Sequence, residues 1–364
     1  MPEPSRWQPG HWSVPGRIAL ALPPAMQPHP DALAAWRSAG VDVLELPLRH
    51  DGAVSSRLGE IDVLVSGNMP VDAAVFGALT RARLFVRPYI GYDDVDVQAA
   101  SDNGILVANT PDTVPPDVAD HTLALILATN RKVVAMDRVV RDGTWARGGR
   151  GAALARVAPI ERLSELTLGL VGLGGIGRLV AERARPFGFR LLGHDPYVSA
   201  AQAGDLDVRL VELDDLLASA DIVSIHTFLS PETRHLLDGR RLALMRPGAY
   251  LVNTARGPIV DEAALAAALR SGQLAGAALD VFEEEPLSPS SPLVGLATVL
   301  LSPHLANYSV SGLRALWLRA ADVALQVALG GLPERAVVIN KELYDRLAAA
   351  PELRDVPRRG HPAP

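Results

Sequence analysis

Ten residues, Leu168-Gly-Leu-Val-Gly-Leu-Gly-Gly-Ile-Gly177, restrict what this chain can fold into more than any other stretch of it. An apolar run ends in glycines at 172, 174 and 177, and a helical pattern opens directly behind them. That spacing belongs to the turn between a buried strand and a helix. Gly172 permits the tight turn, Gly174 lets backbone approach a ligand, and Gly177 lets the helix pack closely on the strand. The helix start then offers unpaired N–H groups and the positive end of its dipole, which suits a pyrophosphate. A glycine-rich turn alone would only pack a helix on a sheet. Asp195, eighteen residues beyond Gly177, ends the next expected strand and adds more. A carboxylate there accepts hydrogen bonds from ribose hydroxyls and repels a 2′-phosphate. The expectation is a dinucleotide site that prefers NAD to NADP, with Arg178 a solvent-exposed helix residue and no 2′-phosphate ligand.

The same alternation of strand and helix runs through most of the sequence. Residues 17–22, 43–46, 63–65, 84–86 and 105–108 read as short buried strands, with helical spacing over 30–39 and 71–82. A loop is expected over 109–116, where prolines stop regular structure. Helices are expected over 118–131 and 132–142, followed by a Gly/Arg-rich segment over 143–151. From residue 167 the pattern gives strands at 168–172, 190–194, 222–226, 250–253, 276–281 and 299–302, and helices at 176–186, 211–218 and 261–271. A last helix over 309–329 precedes a coil containing Pro333. Such alternation predicts parallel βαβ units and an α/β fold of two lobes, joined near residues 118 and 308.

Composition narrows the setting. A chain of 364 residues is comfortable for two domains. With 35 basic and 41 acidic side chains the net charge is −6, so no footprint for nucleic acid or an anionic membrane is present. Cysteine is absent, which removes disulfide scaffolds, thiolate metal sites and cysteine nucleophiles. No metal site is expected. Residues 1–13 are polar and Pro-rich and do not read as a signal peptide. The most apolar stretch, 166–180, holds five glycines and falls short of the length a membrane span needs. A soluble, cytoplasmic protein is the expectation.

Three strand ends downstream carry acid–base side chains. Asn253-Thr-Ala-Arg-Gly257 puts an arginine at the carboxyl edge of a strand, where α/β sheets bind ligands. Ala278-Leu-Asp-Val-Phe-Glu-Glu-Glu-Pro286 ends another strand in acids, and Leu300-Leu-Ser-Pro-His304 puts a histidine after a third. Arg, Glu and His on three strand ends can converge on one cleft. These motifs come in order with Gly91-Tyr-Asp-Asp-Val-Asp96, Gly104-Ile-Leu-Val-Ala-Asn109 and the helix start at Val118-Ala-Asp120. Together they resemble the D-isomer-specific 2-hydroxyacid dehydrogenases over roughly residues 44–340.

The resemblance implies two Rossmann-like, doubly wound parallel-sheet domains. A substrate domain of 1–117 and 308–340 would be discontinuous, with an NAD-binding domain of 118–307 inserted in it and a C-terminal tail over 341–364. After Asn340 only 24 residues remain, too few for the ligand-sensing domain some members append, and 351–364 is expected to fray. Arg256 would bind the substrate's carboxylate and carbonyl oxygen, as its planar fork of donors suits. His304 would give a proton in ketone reduction and take it back in alcohol oxidation. Glu285, directly before Pro286, matches the histidine's partner, with Glu283 and Glu284 as the competing acids that the spacing disfavours. The implied cofactor is NAD. Its contacts would be Gly172, Gly174, Gly175, Ile176 and Gly177 at the pyrophosphate, Asp195 and Pro196 at the ribose, and Thr254, Ala255 and Asp280 at the nicotinamide. Thr122, His226, Thr227, Asn307, Arg256 and His304 complete that set. Tyr89, Ile90 and Gly91 would hold the substrate, the last two through backbone N–H groups.

Three departures bear on specificity. Tyr89 is bulkier than the small residues usual in its loop, and either walls the substrate or packs between domains. Asn307 and Tyr308 replace a Gly/Ala-rich stretch behind the histidine, and Phe228 stands where the usual motif has proline. Basic side chains for a substrate phosphate are not obvious in the substrate lobe, and Arg87 is one candidate. The family reading implies hydride transfer between nicotinamide and C2 of a small 2-oxo or 2-hydroxy acid. A homodimer is implied through a segment near 123–163, in which Trp145 either anchors a partner or plugs its own lobe. Two other readings stand beside it. One is an NAD-sensing corepressor-like scaffold, and the other a phosphite dehydrogenase, which Ile90 disfavours because a lysine is usual there.

Overall fold

The computed structural model describes Trp7 and residues 15–23, 26–46, 56–67 and 69–350. The fraying expected of 351–364 and the reading of 1–13, apart from Trp7, lie outside the described residues. The chain divides into two units. Unit 1 draws on Met1–Val114 and Ser309–Pro364, and unit 2 is Pro115–Tyr308.

Unit 1 is built on strands β1 (Arg17–Ala21), β2 (Asp42–Glu45), β3 (Val63–Ser66), β4 (Leu84–Arg87) and β5 (Leu106–Asn109). All pair in parallel in the order β2-β1-β3-β4-β5. β3, β4 and β5 are buried at every position, so they read as unbroken apolar runs covered on both faces. The two-residue period of a strand sorts their side chains. Ile18, Leu20, Val63, Val65, Leu84, Val86 and Leu106 face one core, and Ala19, Leu64, Phe85 and Val107 the other. The first core is closed by helix Pro30–Ser38 and by helix Val310–Ala328, which returns after unit 2 and buries Leu316, Trp317, Ala320, Val323 and Val327. Trp36 donates its indole N–H to Ala321 O at 3.0 Å across this joint.

In unit 2, β6 (Thr167–Val171), β7 (Arg190–His194), β8 (Val208–Leu210), β9 (Ile222–Ile225), β10 (Ala249–Asn253), β11 (Leu274–Leu279) and β12 (Val299–Leu301) form a second parallel sheet. Its order is β12-β11-β10-β9-β6-β7-β8. The chain winds outward from β6 in one direction and then from β9 in the other. The strand order therefore reverses between β6 and β9, the place where open α/β sheets bind ligands at their carboxyl ends.

Several elements differ from the sequence expectation. The helix awaited from residue 118 begins at Pro115, because a proline in the first turn loses no hydrogen bond. The Gly/Arg-rich segment is part of a helix, Thr144–Val157, broken by Gly149 at φ +61; the good helix formers on either side carry it. The expected tail from 341 starts as helix Lys341–Ala349, whose Leu343, Tyr344 and Leu347 are buried in the core of unit 1. Among the described residues no helix is long and apolar enough to cross a membrane.

Candidate active site

Gly172, just past β6, sits at φ +99, a conformation left to glycine, and its N–H donates to His194 O at 2.8 Å. A side chain at Gly177 would stand 2.1 Å from the Gly172 carbonyl oxygen, so the helix Gly175–Ala184 seats on the strand only because residue 177 has none. Gly174 and Gly175 are exposed, with nothing within 4 Å of where a Cβ would be. Gly174 caps that helix without any side-chain hydrogen bond, which leaves the first N–H groups facing open space beside half-buried Ile176.

On one side of the turn, the Asp195 carboxylate accepts from Leu173 N at 2.8 Å and from Tyr197 N at 2.9 Å, with Pro196 exposed next to it. Arg178 is not the exposed residue expected. It is half-buried and its Nε donates to Leu173 O at 2.9 Å, bracing the turn from within the helix. On the other side, His226 and Thr227 lie close against Gly172. The His226 Nε2 shares a 2.9 Å hydrogen bond with Ser224 Oγ, and burial of the ring pushes its pKa down to about 3, so it is neutral at physiological pH. Phe228 beyond it is 64% exposed.

The second half of the site hangs from the ends of β11 and β12. Asp280 is fully buried, and its carboxylate accepts from Ser302 Oγ at 2.6 Å, Leu305 N at 3.1 Å and Ala306 N at 2.9 Å. The ring of His121, which sequence reasoning did not single out, adds 3.2 Å to Ser302 Oγ and 3.7 Å to Asp280. The Asp280 carboxylate thus ties down the 302–306 turn. His304 in that turn has φ +53, unusual for a residue with a side chain, and is pinned by its N–H to Asp280 O at 2.7 Å. Its Nδ1 lies 2.6 Å from Glu285 Oε2, while Glu285 Oε1 accepts from Phe282 N at 3.0 Å. Burial favours the neutral form of Glu285. Against it, the hydrogen bond and charge of His304, the Phe282 N–H and the charge of Arg256 together hold the carboxyl below its usual range. Of the three acids in the run, Glu285 is the one brought to His304. Glu283 pairs with His235 instead.

Arg256 follows β10. Asn253 brackets it, donating to Arg256 O at 2.8 Å and accepting from Ala255 N at 3.0 Å, and Arg256 Nη1 donates to Ala255 O at 2.7 Å. Thr254 and Thr122 face each other through their hydroxyls at 2.7 Å. Thr122 is fully buried and donates to Val118 O at 2.7 Å. Asn307 is half-buried and Tyr308 exposed.

In unit 1, Tyr89 is half-buried against the core; its hydroxyl donates to Met26 Sδ at 3.4 Å, and burial pushes the phenol up. The loop it shares with Ile90 and Gly91 is fixed by its carbonyls. Pro88 O accepts from Thr110 Oγ1 at 2.8 Å and Ile90 O from Asn109 Nδ2 at 2.7 Å. Arg87 is ruled out as a phosphate ligand: it is fully buried and donates to Asp94 at 2.8 Å and to Met69 O at 3.0 Å.

Residues 123–306 match the family described as D-isomer specific 2-hydroxyacid dehydrogenase, NAD binding domain. The chain belongs to the D-isomer specific 2-hydroxyacid dehydrogenase family. It is 44% identical over 243 residues to the D-3-phosphoglycerate dehydrogenase of Mycobacterium tuberculosis, a match taking in 67% of this chain and only 44% of that one. The chain therefore spans less than half the length of that curated relative. It is 41% identical over 272 residues to the glyoxylate reductase of Korarchaeum cryptofilum, covering 73% of this chain and 81% of the reductase. Among solved structures, the TT0316 protein of Thermus thermophilus superposes with a TM-score of 0.78 at 35% identity, covering 87% of this chain and 98% of that one. The dehydrogenase family's NAD fits what unit 2 presents. Open space stands over Gly174 and Gly175, uncapped N–H groups face it, and the Asp195 carboxylate lies beside the turn.

Proposed function

We propose that this chain is an NAD-dependent oxidoreductase acting between a D-2-hydroxy acid and the corresponding 2-oxo acid. The observation that carries the reading is the 2.6 Å contact between His304 Nδ1 and Glu285, on a turn anchored by buried Asp280. NAD, when bound, supplies the hydride acceptor in oxidation and, as NADH, the donor in reduction. With Nδ1 committed to Glu285, Nε2 is the atom of His304 that exchanges a proton with the substrate oxygen. Glu285, held below its usual range, stays ionised at neutral pH and fixes the ring's orientation. Arg256, whose charge acts on Glu285, takes the substrate's carboxylate and carbonyl oxygen through its fork of donors. Gly172, Gly174, Gly175, Ile176 and Gly177 hold the pyrophosphate, and Asp195 selects NAD by accepting from the ribose and repelling a 2′-phosphate.

We also propose a cytoplasmic homodimer joined through unit 2. Helices Val133–Arg141 and Thr144–Val157 leave Val133, Val140 and Trp145 more than half exposed, at 54, 55 and 55%, with Met136 and Leu154 beside them. Trp145 does not plug its own unit, and an apolar face of this kind suits a second copy. A monomer by light scattering at micromolar concentration removes the dimer.

The activity is tested by following NADH consumption across a panel of 2-oxo acids. His304→Ala should lower kcat roughly 10²–10⁴-fold, far more than it lowers NADH affinity. If no acid in a broad panel is reduced, or if His304→Ala retains turnover, the assignment is wrong.

A further inference from the structure

Glu285 reaches His304 from a short loop, 280–286. A carboxylate displaced by about 1 Å loses much of its value to a proton transfer, so whatever fixes this loop affects the rate. Two side chains outside the acid–base pair grip it. The Glu262 Oε1 accepts the Glu283 backbone N–H at 2.5 Å. His235 Nε2 meets Glu283 Oε1, also at 2.5 Å. Both grips are anchored on the same neighbouring segment. Glu262 is the first residue of helix Glu262–Arg270, which Asp261 caps by accepting from Ala264 N at 2.8 Å. His235 donates its backbone N–H to Pro258 O at 2.8 Å, and Leu237 N donates to Ile259 O at 3.0 Å. Beneath the loop, a Cβ on Gly257 would stand 1.8 Å from the Phe282 carbonyl carbon, so the 257–259 turn is the floor on which Phe282 rests.

We infer that Glu262 is a positioning residue for the reaction. By accepting the Glu283 N–H it fixes the loop from which Glu285 addresses His304, and the His235–Glu283 pair steadies the same loop from its exposed side. The inference rests on the reading of Glu285 and His304 as the acid–base pair.

Glu262 works through its oxygen and not through its charge. A negative charge here stands near two others, Glu283 and Glu285. Burial pushes the Glu262 carboxyl up, the Glu283 N–H pulls it down, and the two neighbouring charges push it up again, leaving it above its usual value. An uncharged oxygen in the same place would serve the N–H as well. The His235–Glu283 pair is 43% and 35% exposed at its side chains, so it contributes less than the half-buried Glu262 contact.

The test is a double-mutant cycle on the full chain, with turnover of the best 2-oxo acid and NADH affinity both measured. Glu262→Ala keeps a good helix former at the helix start and removes the acceptor. It should lower kcat roughly ten-fold, with NADH affinity within about two-fold of wild type. Glu262→Gln keeps an oxygen for the N–H and should restore kcat to within about two-fold. In a Glu285→Gln background, Glu262→Ala should cost almost nothing further, because a residue acting through Glu285 has nothing left to position. His235→Asn, a residue that tolerates the φ of +49 found there, should cost roughly two-fold or less. Equal losses from Glu262→Ala in both backgrounds, or no rescue by glutamine, would overturn the proposal. If Glu285→Gln itself leaves turnover untouched, the acid–base reading fails. If Glu285→Gln slows turnover and Glu262→Ala does not, only the role of Glu262 falls.

Discussion

In each unit the first strand of the sheet leads to a helix, and the two helix starts are finished differently. In unit 1, β1 leads to helix Pro30–Ser38, whose first N–H is met by one of the chain's own side chains. His29 Nδ1 accepts from Asp31 N at 3.2 Å, and Asp31 in the first turn pairs with Arg314 at 2.7 Å. In unit 2, β6 leads to helix Gly175–Ala184, whose cap is a glycine with no side chain to accept anything. Both are parallel βα units in doubly wound sheets. One closes its helix end for stability, and the other leaves it open. An unclosed helix end forgoes about 1 kcal/mol of capping, and that is tolerable where a phosphate takes the place of the missing cap.

The strongest way to break this contrast is to close the open end. Nothing lies within 4 Å of a Cβ on Gly174, so Gly174→Asp fits the fold and supplies a cap. NADH affinity should fall roughly a hundred-fold from charge repulsion, with the melting temperature unchanged or higher. Unimpaired NADH binding in that variant would mean the helix end is not where phosphate sits.

A smaller effect comes from acid. His226 packs under the open turn as a neutral ring with its pKa near 3, against an ordinary value of 6.5. The unfolded chain takes up this proton first, so stability falls as pH drops from about 6.5 towards about 3. Calorimetry between neutral and acid pH should find the wild-type melting temperature dropping several degrees further than that of His226→Gln. Parallel curves would show that the ring is not confined.

The least effect belongs to the closed end. His29→Ala should destabilise by about 0.5–1 kcal/mol in urea titration and leave NADH affinity untouched. A loss of NADH affinity there would show that the two helix ends are not independent.

Much of this architecture was legible because buried parallel strands leave apolar runs. Arg190–His194 has the bounds the sequence suggests, and the strands around it differ by a residue or two. Elements with little apolar content were not legible. Edge strand Val208–Leu210 has one buried residue, and helices Ala200–Gly204 and Gly239–Leu244 are too short to set up a period. In the site, side chains announced by a strand end and a motif, such as Glu285 and His304, could be named from sequence. Those that act on backbone across long separations could not. Glu262 meets the N–H of a residue 21 positions on, and no spacing rule links them. His121 is 181 residues from Ser302. Asp280, Thr122 and Arg178 were legible as residues, but the hydrogen bonds they make within the fold were not, because those depend on which groups the fold buries together.

Interruption of unit 1 by unit 2 has a consequence for synthesis. The core against β1, β3 and β4 includes Leu316, Trp317 and Val327 from the return helix, and Leu343 and Leu347 from the helix after it. On a ribosome, the strands of unit 1 emerge first, yet the apolar surface that covers one face of their sheet is translated last. Unit 2 has its whole sequence available while unit 1 still waits with that face exposed. A nascent chain that has emerged as far as Tyr308 would therefore hold unit 2 complete and unit 1 with an aggregation-prone sheet, the state a chaperone would meet.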